Sequence, residues 1–398
     1  MRVLIPDGNE RTALAAARSL IAARYEVYIA ARERLSLAGV SRGVRRARVD
    51  TDPLGQPREY AAEVGALARD FGITVLLPVT DQSVEALLQH GHAVPDRVAL
   101  PFPSWETYLR ASDKAQALTL ARAAGLAVPE TVVLATPAEH AHLPDAGFFP
   151  AVIKPHRSVI PADSTGDAKC KVGVSYVDDL DSGRRALETL PSGAFPVLLQ
   201  RRVRGPGEGL FLLRWNGRIV GAFAHRRLRE KPPAGGVSTY RESIPLDPNL
   251  LAAGAGLLAG LDWSGVAMIE GKRERETGRF VFMELNGRLW GSLQLALDAG
   301  VDFPALLVAC ALGLEVSAVP RYAVGVRSRW FWGDVDQLYL RLTRRPADLH
   351  LANGDASRLA ALREFLRIRP GRDREEIWRW RDPAPFVVEA LRWAGLLR

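Results

Sequence analysis

The chain reads as α/β at its N-terminus and α+β beyond it, closing with a mostly helical extension, and three patterns predict that order. Over residues 1–104 short apolar runs alternate with amphipathic stretches, as in a parallel, doubly wound sheet with helices on both faces. Over 105–318 apolar runs of period two are joined by turn signals such as Asn216-Gly217, which predicts antiparallel sheets. Over 319–398 Trp residues are scattered among many Arg and no strand pattern persists.

In chain order, Val3 to Pro6 is a strand, Glu10 to Ala23 a helix, Val27 to Ala31 a strand, Arg58 to Phe71 a helix and Thr74 to Pro78 a strand. The first turn, Asp7-Gly8-Asn9, lacks G-x-G-x-x-G, so the dinucleotide fingerprint is absent. Asp81 follows a strand at its carboxyl end, where such sheets bind ligands, and is equally placed to cap the next helix. Val98 to Pro103 is a Pro-punctuated connector. Ser112-Asp113-Lys114 opens a helix that stops at Gly125, an N-cap followed by a left-handed stop. Ala151 to Pro155 is a short strand carrying Lys154. The loop after it holds Ser158, Ser164, Thr165, Gly166, Lys169 and Lys171, which suits either a flap over phosphates or a surface loop. Val197 to Gln200 is a strand, and Leu210 to Trp215 with Arg218 to Phe223 forms a hairpin at Asn216-Gly217. His225 to Ser243 reads as a basic, Gly-containing loop with Arg226, Arg227, Arg229, Lys231 and Arg241. Helices are expected over Leu250 to Gly260 and from Gly291 to Ala299.

The richest stretch is Phe280 to Arg288. As a regular strand it puts Phe280, Phe282, Glu284, Asn286 and Arg288 on one face and Val281, Met283 and Leu285 on the other. Val266 to Glu270 is a second apolar run. A hairpin between the two, centred on Thr277, sets Glu270 opposite Glu284. Like charges so placed destabilise a sheet. Two carboxylates and an amide oxygen are hard ligands of the kind Mg²⁺ takes, so a cation would turn that repulsion into a site. The alternative is that Glu284 and Asn286 lie on a solvated face.

At 398 residues, 47% of them hydrophobic, the chain is long enough for two or three cores. Its two cysteines make no disulfide framework; Cys310 reads as core and Cys170 as a loop position. No signal peptide or bilayer-length apolar run is visible, so a cytoplasmic protein without a transmembrane segment is expected. Of 53 basic residues only six are Lys, all between 114 and 272. From Arg321 onward 16 Arg stand against 10 acids, too mixed a charge for a sequence-specific nucleic-acid reader. Oligomeric state is open, a homodimer being one option.

Four motifs in this order resemble the ATP-grasp superfamily, on the branch of carboxylate ligases related to biotin carboxylase and carbamoyl-phosphate synthetase. They are Ser112-Asp113-Lys114, Phe149-Pro150-Ala151-Val152-Ile153-Lys154-Pro155, Leu199-Gln200 with Gly205 to Gly209, and Met283 to Arg288. The resemblance spans residues 1–315. It implies a pre-ATP-grasp domain over 1–104, a two-lobed ATP-grasp domain over 105–318 and an extension over 319–398 that it does not explain. It implies that Lys114 and Lys154 contact ATP phosphates, that Gln200, Arg201 and Val203 form the hinge against adenine, and that Glu208 holds the ribose. Glu270, Glu284 and Asn286 would bind Mg²⁺ or Mn²⁺, and Arg288, with Arg241, would serve the transferred phosphoryl group or its acceptor. Arg201 departs from relatives that carry an acid after the hinge Gln.

The implied activity is ligation of a carboxylate to an amine through an acyl phosphate. Bicarbonate acting through carboxyphosphate is the alternative. From another class, the basic tail would suit a binder of nucleic acid or an anionic membrane on a vestigial nucleotide fold, but the complete candidate metal face argues against that.

Overall fold

The computed structural model describes residues 1–162, 168–319, 321–351, 357–367 and 369–397. Ser164, Thr165 and Gly166 of the expected flap lie outside them.

The N-terminal sheet is four-stranded, in the order Arg45–Arg48, Glu26–Ala31, Arg2–Ile5, Val75–Leu76, and wholly parallel. Alternation along its strands supplies two cores. Val3 and Ile5 meet Leu14 and Leu20 of the helix Arg11–Ala22, while Leu4 on the other face meets Tyr60 and Val64 of Pro57–Asp70. The strand Arg45–Arg48 escapes sequence reading because it is short, basic and largely exposed. A charged edge of that kind also discourages pairing with another chain. Thr80, not Asp81, caps the helix Asp81–Gln89, accepting from the Ser83 amide.

Two antiparallel sheets follow. One has the order Thr131–Leu134, Val197–Arg201, Ala151–Pro155, Ser175–Val177. The other has seven strands: Phe280–Asn286, Gly265–Arg273, Gly207–Trp215, Arg218–Lys231, Val237–Ser243, Arg327–Arg329 and Asp373–Glu375, with only the last pair parallel. Its third strand, Gly207–Trp215, is buried on both faces over most of its length. Leu210 and Leu212 pack on Leu257 and Leu258 of the helix Pro248–Gly260, and Phe211 and Leu213 pack on Trp290 and Leu307.

Three expectations are corrected here. His225 to Ser243 is not a basic loop: the strand from Arg218 runs on to Lys231 and returns as Val237–Ser243. Its cations sit on strands because acids elsewhere in the chain meet them. The 319–398 extension also supplies strands that sequence reading did not mark: Arg327–Arg329 and Asp373–Glu375 complete the large sheet beside the helices Phe331–Thr343, Arg358–Leu366 and Ala384–Trp393. Cys170 lies in a short strand, Lys169–Lys171, and Cys310 is buried.

The hairpin has the expected centre with one change. Met268, Ile269 and Glu270 face Asn286, Leu285 and Glu284, but Gly271 then faces Phe282, leaving Met283 as a bulge. A bulge shifts the period-two alternation by one residue. Phe280 and Phe282 therefore turn into the core with Leu285, while Met283 lines the cleft with Glu284 and Asn286. The uninterrupted face from Phe280 to Arg288 does not exist.

Candidate active site

A cleft of about 700 Å³ opens between the two antiparallel sheets, and Thr80 and the start of the helix Arg11–Ala22 also line it. The strand Ala151–Pro155 forms its floor. Ala151 and Ile153 face a core while Val152 and Lys154 face the cleft, as alternation requires. Burial depresses the Lys154 ammonium below its usual range, although Glu284 and Glu270 pull it back.

Lys114 is the first residue of the helix Lys114–Ala123, and its neighbour Asp113 is the cap, accepting from the Gln116 amide at 2.9 Å. The Lys114 amide donates to the His156 carbonyl at 2.8 Å, tying this helix to the end of the Lys154 strand. Its ammonium is buried, donates to the Ser158 hydroxyl at 3.2 Å, and lines a small recess with Glu284 and Asn286 beside the main cleft.

Burial raises the Glu284 carboxyl, but Lys114, Lys154 and an Asn286 amide donating at 3.2 Å more than offset it. Glu284 thus sits below the usual carboxylate range. Glu270, directly across the hairpin, sits above it: burial dominates, and Arg227 at 2.7 Å only partly compensates. Arg288 grips Asp81 bidentately at 3.0 and 2.9 Å. Burial alone would raise Asp81, yet this guanidinium holds it low, and Asp81 in turn raises Arg288.

The segment Gln200 to Val203 lines the cleft as well. Gln200 is buried and donates to Thr131 at 3.2 Å, and among the described residues its side-chain oxygen has no partner. The Arg201 guanidinium swings out to Glu130 at 3.1 Å and to the Gly147 carbonyl at 2.6 Å.

Two expected site residues do not reach the cleft. Glu208 is 1% exposed and is held by Arg226 at 2.9 Å and Arg273 at 2.8 Å, so it is not placed for a ribose. Arg241 is wholly buried, donates to the Ser238 carbonyl at 2.9 Å and pairs with Glu376 from the extension. The other strand cations are similarly engaged: Arg229 with Asp334 at 2.6 Å, Lys231 with Asp336 at 2.5 Å, and Arg227 with Glu230 and Glu270. They do not form an open anion cluster in the cleft.

No protein-family model and no curated protein matches the sequence. Solved structures do match. The biotin carboxylase of Campylobacter jejuni superposes with a TM-score of 0.61 at 15% identity, over 82% of this chain and 74% of that one. The N5-carboxyaminoimidazole synthetase of Staphylococcus aureus gives 0.60 at 12%, over 82% and 80%. The L-amino acid ligase of Bacillus licheniformis gives 0.58 at 15%, over 78% and 73%.

This is the ATP-grasp fold.

Within this fold the cleft gathers Lys154, Gln200, Arg201, Val203, Glu270, Glu284, Asn286 and Arg288, with Lys114 alongside. It also holds residues that sequence reading did not single out for it: Arg11, Met268, Lys272, Trp290 and Ser238. The indole nitrogen of Trp290 and the Ser238 hydroxyl are buried and have no partner among the described residues. Asp81 carried a faint signal, its position at a strand end, but its pairing with Arg288, 207 residues on, carried none. Two carboxylates opposed across a hairpin, with an amide oxygen one turn of the alternation further, fit a hard divalent cation. Among the described residues no helix is long and apolar enough to cross a membrane.

Proposed function

We propose that this chain is an ATP- and Mg²⁺-dependent ligase that activates a carboxylate as an acyl phosphate and passes the acyl group to an amine. The observation that supports it is the meeting of Lys154, Glu270, Glu284, Asn286 and Arg288 in one cleft that the Gln200 to Val203 segment also lines. Phosphoryl transfer asks little covalent work of a protein; it asks for cations on the phosphoryl oxygens and an acceptor held in line. Lys114 and Lys154 would take phosphate oxygens, and the Gln200 to Val203 backbone the adenine. Glu270, Glu284 and Asn286 would hold the metal, which when bound neutralises charge on the phosphates. Arg288, fixed by Asp81, would orient the acceptor. The divisions 1–104, 105–318 and 319–398 are proposed as units of this enzyme.

The acceptor carboxylate oxygen attacks the γ-phosphorus as the bond to ADP breaks. The amine then attacks the acyl carbon, phosphate leaves with the C–O electron pair, and the nitrogen loses a proton. The cleft extends beyond Arg288 to Arg11, Trp290 and Ser292, room for an acid with a body. That space supports an organic acid over bicarbonate now that Arg226, Arg229, Lys231 and Arg241 are engaged elsewhere. The test is ADP release against a panel of carboxylates with hydroxylamine present. Hydroxamate should appear in step with ADP for the true acid; ATP cleavage driven by bicarbonate alone, with no hydroxamate from any acid, would overturn the proposal.

A further inference from the structure

The C-terminal extension borders a second hollow, of about 610 Å³ and open to solvent, against the outer part of the large sheet. Small-molecule sites have volumes of this order. One wall is the turn at Arg204 and the strand around Arg226 and Arg229; the other comes from the helices Phe331–Thr343 and Arg358–Leu366, which contribute Arg341 and Glu364. Ten Arg or Lys side chains line it against two Glu.

Among the described residues, the carboxylates around this hollow do not cancel its charge. Glu208 is divided between Arg226 at 2.9 Å and Arg273 at 2.8 Å. Asp334, fully buried, is divided between Arg229 and Arg329, both at 2.6 Å. Glu364 is divided between Arg367 at 3.4 Å and Arg369 at 3.3 Å. Each acid thus leaves one guanidinium charge over. Arg227, lying between Glu230 and Glu270, and Arg327, paired one to one with Glu242 at 2.9 Å, are the exceptions. Arg204 and Arg275, both exposed, make no ion pair among the described residues and add to the surplus at the rim. Lys272, on the wall shared with the cleft, feels the crowding: burial, Arg202 and Arg227 hold its ammonium below the usual range against the pull of Glu230.

We propose that this hollow is a second anion site, separate from the cleft, which takes a small polyanion bearing two or more phosphate or carboxylate groups. Guanidinium forks converging from two walls match such a ligand, because each pairs bidentately with a carboxylate or phosphate.

The test is calorimetric titration of the full chain with tripolyphosphate and, separately, citrate. At least one should bind, its preference identifying phosphate or carboxylate chemistry. The double variant Arg204→Glu with Arg275→Glu changes only exposed rim positions and should weaken that binding by roughly tenfold or more. Arg341→Glu should weaken it from the opposite wall; if that variant misfolds, the rim pair decides. The control Arg32→Glu with Arg34→Glu, on the exposed N-terminal surface, should leave it unchanged. Lys154→Ala should also leave it unchanged, since that residue belongs to the cleft. The proposal is overturned if neither probe binds or if the control weakens binding as much as the rim pair. Loss of binding in Lys154→Ala but not in the rim pair would overturn it equally.

Discussion

Glu284 and Glu376 are each flanked by two cations, yet one faces a cleft and the other is sealed. Lys114 and Lys154 act on Glu284 from a distance, across space open to the cleft and its recess. Arg11, at 2.7 Å, and Arg241 close on Glu376 directly, and both Glu376 and Arg241 are almost fully buried. Identical chemistry thus does different work according to whether the charges meet one another or meet space. A sealed triad joins the N-terminal unit, the large sheet and the extension. An open one leaves charge for a ligand.

The sealed region should show the larger effect on stability. Glu376→Gln keeps the shape but strands two guanidiniums, and breaking a buried pair of this kind costs about 3–5 kcal/mol. Urea unfolding should register that loss while ATP affinity of the folded fraction stays near normal. A collapse of activity at unchanged stability would return Arg241 to the role its sequence position suggested.

The open region should show the converse. Glu284→Gln is expected to lower Mg²⁺-dependent ADP formation by roughly 10²–10³-fold. Its melting temperature without ligand should move by only a few degrees. Near-normal turnover would break the contrast, because an amide preserves the outline of the site and removes only its charge.

A third measurement sharpens the comparison at the edge of the sealed region. Burial pushes the Glu389 carboxyl up to about 7, against a bond donated by the Trp330 indole at 2.7 Å. The folded state therefore holds a proton that the unfolded state has already released. Stability contributed by this group is present below the unfolded pKa and falls as pH rises from about 4.5 to about 7. Glu389→Gln should flatten that part of the stability profile and raise stability at pH 8 by roughly 1–3 kcal/mol. An unchanged profile would show that the carboxyl is already ionised in the fold.

The smallest effect is expected at the hinge. Arg201→Ala removes an exposed pair with Glu130, worth about 0–1 kcal/mol. Because the guanidinium points out of the cleft, ATP affinity should stay within about twofold. A large loss would mean that the side chain swings inward on the nucleotide.

Much of the framework was legible because its signals are local. Alternating strands and helices gave the parallel N-terminal sheet, Asn216-Gly217 gave its hairpin, and Gly125 marked the helix stop, with positive φ at all three turn residues. The Glu270 to Glu284 register followed from the position of the turn. What escaped was any partner far away in sequence. The acids that meet Arg229, Lys231 and Arg241 lie between 105 and 135 residues downstream. A run of cations without visible partners therefore looked like an open loop.

The sequence by itself determined most of the strand and helix alternation over residues 1–104, the short strand that carries Lys154, and the acidic pair of the hairpin. These depend on backbone period and turn chemistry, which neighbouring residues set. Tertiary structure alone decided that Met283 bulges, turning Phe282 inward and Met283 to the cleft. It also decided that Arg288 belongs to Asp81, and that Arg241 and Glu208 are closed off while Lys154 and Glu284 stay open. Side-chain charge is written in the sequence; whether that charge is spent on another part of the chain depends on which distant segments the fold brings within about 4 Å, where burial makes the pairing strong.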